Sequence, residues 1–78
     1  MQVIAFGIVK EIFGNRTIET DSKPGTSVQS LKASLEKRYP KLRQLGSYMI
    51  AVNSEYAADN DVLEASDEVA VIPPVSGG

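Results

Sequence analysis

The two most apolar stretches of the chain lie near its opposite ends, and this separation constrains the fold more than any other feature. Residues 1–9 are almost continuously apolar and rich in β-branched side chains, and residues 68–72 contain the second apolar run. Short apolar runs of this kind are typical of strands that are buried on both faces of a sheet. We therefore expect the first and last strands to lie side by side in the centre of one sheet.

The segment that follows the first strand predicts a β-hairpin. Gly14 and Asn15 form a turn signal, and residues 16–20 alternate polar and apolar side chains. Alternation next to such a turn indicates a strand that pairs antiparallel with the preceding one.

One amphipathic helix is predicted in the middle of the chain. Thr26 stands where an N-cap residue would, and Gln29 three positions later completes a capping box. Apolar side chains then recur at spacings of three and four residues: Val28, Leu31 and Leu35. Pro40 disfavours helical geometry at Tyr39, so the helix should end there.

The remaining elements complete an α+β pattern. Residues 49–52 read as a third strand, and residues 55–57 as a short fourth strand after a turn. Leu42 and Leu45 should anchor the loop after the helix, and Leu63 should plug the core. The order predicts a mixed sheet of about four or five strands with one main helix on one face, which is the β-grasp, or ubiquitin-like, architecture.

The last residues read as a tail rather than as part of the sheet. Two prolines, Pro73 and Pro74, fix φ and cannot continue a strand, so we expect a folded domain over residues 1–72 and a flexible tail over residues 73–78. Gly77 and Gly78 have no side chains and can pass through a slot too narrow for other residues. Fully extended, this tail would reach about 20 Å. We therefore expect the carboxylate of Gly78 to be the reactive group, delivered into the active site of another protein.

Composition argues against several classes of function. The chain contains no histidine and no cysteine, so the usual general base and the strongest nucleophile are missing. The absence of cysteine suits a reducing cytoplasm, and we expect no metal and no bound cofactor. A net charge of −2 disfavours nucleic-acid binding, and no apolar stretch is long enough for a membrane span.

Alternation along the first and last strands predicts an apolar row that one helix cannot cover. Successive residues of a strand face opposite sides of the sheet. If the row Val3, Ala5, Gly7 and Val9 packs under the helix, the opposite face carries Ile4, Phe6, Ile8 and Ile72. An exposed apolar patch usually marks a partner surface, with aromatic residues such as Phe6 and Tyr56 as anchors. The alternative is that Leu42 or Leu63 covers this face.

The C-terminal third carries a longer pattern: residues 51–57 (AVNSEYA), Leu63, and residues 67–78 (DEVAVIPPVSGG). Near the beginning, Phe6 is followed by residues 10–14 (KEIFG). Together these segments resemble the MoaD family, the small subunits of molybdopterin synthase, over nearly the whole chain. The resemblance implies a β-grasp fold.

The resemblance also implies a chemistry. A MoeB-like adenylating enzyme would use ATP to adenylate Gly78, and sulfur would then replace AMP to give a terminal thiocarboxylate. A MoaE-like large subunit would receive the tail in its active site. There the sulfur would pass to cyclic pyranopterin monophosphate and build the dithiolene of molybdopterin. The catalytic groups would belong to these partners.

Site residues follow from the same resemblance. The tail residues expected in the partner's channel are Pro74, Val75, Ser76 and Gly77. Contacts with the large subunit are expected at Phe6, Tyr56 and Ile72, within a heterotetramer of large and small subunits.

Other functions remain open on the sequence. A sulfur carrier for thiamine synthesis, tungsten cofactor assembly or tRNA thiolation would share the tail chemistry, although residues 40–47 favour the molybdopterin branch over a ThiS-like carrier. A ubiquitin-like protein modifier would form isopeptide bonds to lysine, but residues 73–76 lack the arginines of ubiquitin-type tails. A plain interaction module would have an inert tail.

Overall fold

The computed structural model describes residues 1–74, which form a sheet and three short helices. The strands are β1 (Gln2–Ala5), β2 (Thr17–Glu19), β3 (Met49–Val52), β4 (Glu55–Tyr56) and β5 (Val69–Ile72). The helices are α1 (Ile8–Phe13), α2 (Val28–Arg38) and a 3-10 helix (Pro40–Leu45). The five strands lie in the order β2-β1-β5-β3-β4.

The first and last strands are neighbours at the centre of the sheet, as predicted. β1 and β5 run parallel, with Val3 opposite Val69 and Ala5 opposite Val71. β2 pairs antiparallel with the outer side of β1, and β3 pairs antiparallel with the outer side of β5. The central position gives each of the two apolar strands a neighbour on both sides. Their composition predicted burial on both faces, but Ile4 in β1 and Ile72 in β5 are only half-buried.

One face of the sheet is covered by α2 and forms the core. The predicted stripe of Val28, Leu31 and Leu35 is buried. Leu42 and Leu63 are fully buried in the same cluster as these helix residues. They therefore fill the side of the sheet under α2, and the alternative in which they cover the other face is wrong.

The first strand is shorter than predicted, because the chain turns into a helix at Gly7. Gly7 has φ 55° and ψ −130°, a conformation that side-chain-bearing residues rarely adopt. The strand predicted over residues 1–9 ends at Ala5, and α1 follows. Val9 and Phe13, one helical turn apart, are the buried residues of α1. β1 and β2 are antiparallel as expected, but α1 rather than a tight turn connects them.

The N-cap of α2 lies one residue later than predicted. The Ser27 hydroxyl accepts a hydrogen bond from the Ser30 backbone N–H at 3.1 Å. The carbonyl of Thr26 instead accepts the N–H of Leu63 at 2.8 Å. A contact between segments distant in sequence thus takes Thr26 out of the helix cap.

The end of α2 agrees with the prediction, whereas the segment after it is more regular than expected. Tyr39 is the C-cap residue, and its N–H bonds to the carbonyl of Leu35. The predicted loop after Pro40 is a 3-10 helix, in which Leu42 is buried and Leu45 packs half-buried against the core. β5 begins at Val69 rather than at residue 68.

Candidate partner-binding face and tail root

The tail leaves from the centre of the sheet. Ile72 ends β5, Pro73 is half-buried and Pro74 is exposed. Because β1 and β5 are parallel, their C-terminal ends lie at the same end of the sheet. The tail therefore begins beside the point where β1 is followed by α1. Of the residues predicted to enter a partner's channel, Pro74 is described. Val75, Ser76, Gly77 and Gly78, the residue predicted to be reactive, lie outside the described residues.

The register of the strands defines the face opposite α2. Directly opposed residues of paired strands point to the same side of a sheet. One transverse row therefore runs across all five strands: Thr17, Ile4, Ala70, Ala51 and Tyr56. A second row, closer to the tail, contains Met49 opposite Ile72.

This face is apolar and exposed. We call it the open-face patch and define it as Ile4, Phe6, Met49, Tyr56 and Ile72. Phe6 and Met49 are each 44% exposed and Tyr56 is 67% exposed. Ile4 and Ile72 are half-buried. The small side chains of Ala51 and Ala70 lie between the larger ones, which leaves a surface that an apolar partner can approach closely.

The three predicted partner residues therefore share one face, and the structure adds a neighbour to them. Met49 is opposite Ile72 and was not predicted as a contact. The sequence could have predicted this contact, because neighbouring residues of a strand face opposite sides. Ile50 is buried in the core, so Met49 faces the other side of the sheet. Ile8 is exposed as expected, but it lies in α1 rather than in β1.

Part of the recognisable sequence pattern has a structural role. The Asn53 side chain donates a hydrogen bond to the Asp67 carboxylate at 2.8 Å and accepts one from the Glu68 N–H at 2.9 Å. The N–H of Glu64 donates to the same carboxylate at 2.7 Å, and together with Asn53 it lowers the pKa of Asp67. These bonds join the β3–β4 turn to the beginning of β5, at the end of the sheet away from the tail.

Charged groups on the α2 side pair with each other. The Tyr48 hydroxyl donates to the Glu36 carboxylate at 2.5 Å, and Arg43 lies 3.6 Å from the same carboxylate. The Lys32 ammonium lies 3.2 Å from Asp59 and 5.4 Å from the Tyr48 ring centroid. Burial raises the pKa of Tyr48, and the hydrogen bond to Glu36 and the negative charges of Glu36 and Asp59 raise it further.

Residues 1–74 show neither a cluster of metal ligands nor a membrane-spanning helix. No group of at least three metal-ligating side chains stands close enough to hold an ion. No helix in this part of the chain has the length and apolarity to cross a membrane.

A five-stranded mixed sheet, one covering helix and a C-terminal central strand define a ubiquitin-like β-grasp protein. Residues 3–78 match the ThiS family, and the chain belongs to that family. It is similar to the molybdopterin synthase sulfur carrier subunit of Homo sapiens, with 40% identity over 87 aligned residues that cover 100% of this chain and 93% of the relative. The Arabidopsis thaliana subunit of the same name is 30% identical and aligns over 100% of this chain and 82% of its own length.

Solved structures confirm the predicted fold. A putative molybdopterin converting factor, subunit 1, from Pyrococcus furiosus superposes with a TM-score of 0.82 at 26% identity, covering 95% of both chains. A chain in the complex of subunits 1 and 2 of the molybdopterin-converting factor from Helicobacter pylori gives a TM-score of 0.68 at 26% identity, over 99% of this chain and 96% of that one. The small archaeal modifier protein 1 of H. volcanii gives 0.79 at 26% identity over 95% of both chains.

Proposed function

We propose that this chain is the sulfur-carrier subunit of a molybdopterin synthase. The observation that carries the proposal is similarity over the whole chain to molybdopterin synthase sulfur carrier subunits at 30 to 40% identity. The fold supports it, because the last strand lies at the centre of the sheet and is followed by Pro73, which is half-buried, and Pro74, which is exposed. In this proposal residues 1–72 are the carrier body and residues 73–78 are the tail that it delivers.

The chemistry begins at the carboxylate of Gly78. A carboxylate is a poor electrophile, so a MoeB-like partner first transfers AMP from ATP to it and releases pyrophosphate. A sulfur nucleophile then displaces AMP and leaves a thiocarboxylate. The sulfur is carried on the backbone terminus, so the chain needs no cysteine side chain, and its sequence contains none. This use of ATP and the lack of cysteine lead us to place the protein in the cytoplasm.

Delivery requires a partner that holds the body while the tail enters its active site. We propose that a MoaE-like large subunit binds the open-face patch, with Phe6, Tyr56 and Ile72 as anchors, in a heterotetramer. Phe6 and Tyr56 are large, exposed and aromatic, which are properties of interface anchors. Val75, Ser76 and Gly77 would line the channel, and the thiocarboxylate sulfur would attack cyclic pyranopterin monophosphate.

Intact-mass spectrometry tests this function. The protein is incubated with a MoeB-like enzyme, ATP and a sulfur donor, and its mass should rise by the difference between a sulfur and an oxygen atom. The control is the chain without Gly77 and Gly78, which should keep its melting temperature and gain no mass. An unchanged mass under conditions that charge a known carrier would contradict the proposal.

A second candidate is a protein modifier, which the likeness to small archaeal modifier protein 1 favours. The adenylated Gly78 would then form an isopeptide bond with a lysine of another protein. Digestion of cellular conjugates would reveal lysines that carry a Gly-Gly remnant.

Sulfur carriers for thiamine synthesis, tungsten cofactor assembly or tRNA thiolation would share the tail chemistry of the first candidate. They differ from it in the enzyme that accepts the sulfur.

A further inference from the structure

The tail begins where a proline ring packs against a bare backbone. The last residues paired between the parallel strands are Ala5 and Val71, and Gly7 and Pro73 lie two residues further along each chain segment. Pro73 has no N–H and cannot extend the ladder. A Cβ atom added to Gly7 would lie 3.2 Å from Cγ of Pro73, which is a tighter contact than such atoms normally make. The ring therefore occupies space that is available because residue 7 has no side chain.

Among the described glycines, Gly7 alone has a neighbouring atom within 4 Å of the position that a Cβ would take. Gly14, Gly25 and Gly46 also have positive φ, yet a Cβ on any of them would meet nothing within 4 Å. The backbone of Gly7 is also fixed from the other side, because its carbonyl accepts the N–H of Lys10 at 3.1 Å as α1 begins. Pro73 thus packs on a surface that cannot easily move away.

This contact sets the position of the Pro73 ring, from which the tail continues. Pro73 and Pro74 both have fixed φ, and a residue that precedes a proline is restricted to extended backbone, so the position of the first ring limits the directions open to the second. If fully extended, the five residues from 74 to 78 would reach about 16 Å beyond this point at roughly 3.3 Å per residue. A rotation of about 10° at Pro73 would therefore displace the end of the tail by about 3 Å.

We infer that Gly7 is a positioning residue for sulfur transfer: its bare backbone seats Pro73, and this contact fixes the angle between the tail and the open-face patch. The inference rests on the proposed function. When the patch is bound to the large subunit, the angle determines whether the terminal sulfur reaches the acceptor. A misplacement of about 1 Å can lower a reaction rate by about 100-fold.

The test compares Gly7→Ala with Gly14→Ala. Gly14 has φ 76°, so alanine there introduces backbone strain without a new contact. Thiocarboxylated variants are mixed with saturating large subunit, and the rate of sulfur transfer is measured beside the dissociation constant and the melting temperature. We expect Gly7→Ala to lower the saturated rate about tenfold or more, and Gly14→Ala to change it less than about twofold. Equal rates for the two variants, or a loss confined to affinity, would overturn the inference.

A second variant keeps the test decisive if Gly7→Ala folds poorly. Pro73→Ala leaves Gly7 in place and removes the ring atom that the new Cβ would meet, and we expect it to lower the saturated rate by itself. In the Pro73→Ala chain, adding Gly7→Ala should lower the saturated rate by a smaller factor than it does in the wild-type chain, because the ring atom that the new Cβ would meet is absent. If Gly7→Ala lowers the saturated rate by the same factor in the wild-type chain and in the Pro73→Ala chain, residue 7 acts independently of Pro73. This result would overturn the inference.

The results with the wild-type chain and with Gly7→Ala distinguish a failure of this inference from a failure of the proposed function. If the wild-type chain transfers sulfur and Gly7→Ala behaves like Gly14→Ala, the inference alone is wrong. If the wild-type chain accepts no sulfur under conditions that charge a known carrier, the proposed function is wrong, and the positioning role is overturned with it.

Discussion

The two faces of the sheet are both apolar, but they differ in what covers them. On the face under α2, Val3 and Val71 are fully buried against helix residues such as Leu35. On the opposite face, Phe6 and Tyr56 remain 44% and 67% exposed. Burial of an apolar side chain stabilises a fold by about 1.5–3 kcal/mol, and the exposed side chains of the open-face patch gain only part of this. One face therefore stabilises the domain, whereas the other has area left for a partner.

The largest expected effect is on the covered face. Leu35 is 1% exposed, and Leu35→Ala should lower the free energy of unfolding by about 2–5 kcal/mol, because it leaves a cavity under the sheet. Urea denaturation measures this change. Tyr56→Ala is the matched variant on the open face and should change the free energy of unfolding by only about 0.5 kcal/mol. Similar losses for both variants would mean that the two faces are energetically alike.

The next effect concerns partner binding. Tyr56→Ala should weaken binding to a MoaE-like large subunit about tenfold or more, which corresponds to at least about 1.4 kcal/mol. Val62→Ala is the control, because Val62 is 54% exposed but lies in the segment that bridges to Ser27, next to α2. Isothermal titration calorimetry should show an unchanged affinity for this control. Equal weakening by both variants would contradict a patch confined to the open face.

The smallest expected effect is the loss of stability when the Tyr48 hydroxyl, on the α2 side of the sheet, is removed. Tyr48→Phe removes the hydroxyl that donates to Glu36 and should lower the free energy of unfolding at neutral pH by about 1 kcal/mol. The folded state raises the pKa of Tyr48 above the unfolded value of 10.0. Folded chains then hold the proton longer than unfolded ones, so wild-type stability should fall as the pH rises above about 10.

The free energy of unfolding, measured against pH for the wild type and for Tyr48→Phe, isolates the contribution of the Tyr48 hydroxyl. Tyr39, Tyr56 and the lysines are present in both chains, so the difference between wild type and Tyr48→Phe reports Tyr48 alone. The advantage of the wild type should shrink above pH 10.0, where unfolded Tyr48 loses its proton. A difference that stays constant up to pH 11, within about 0.2 kcal/mol, would contradict the assigned cause.

Much of the sheet was predictable because its pairing depends on apolarity. The central pairing of β1 with β5 follows from two apolar runs, and alternation within strands gave the exposed side of Phe6 and the buried side of Val3. The stripe of α2 and its end before Pro40 were also predictable, since both depend on local sequence.

The features that were missed depend on contacts between distant segments or on backbone angles. α1 was hidden because its β-branched residues are typical of strands, and because the positive φ of Gly7 is not visible in a sequence. The helix cap moved from Thr26 to Ser27 because Thr26 pairs with Leu63. The contact of Gly7 with Pro73 depends on the register of two strands at opposite ends of the chain.

The most direct test of the central claim follows the sulfur to its acceptor. Thiocarboxylated protein is mixed separately with a MoaE-like large subunit and cyclic pyranopterin monophosphate, and with a thiazole synthase and its substrates. We expect molybdopterin to form in the first mixture as the mass of the chain returns to that of the carboxylate, with no transfer in the second. Transfer to thiazole synthase alone would contradict the assignment to molybdopterin synthesis.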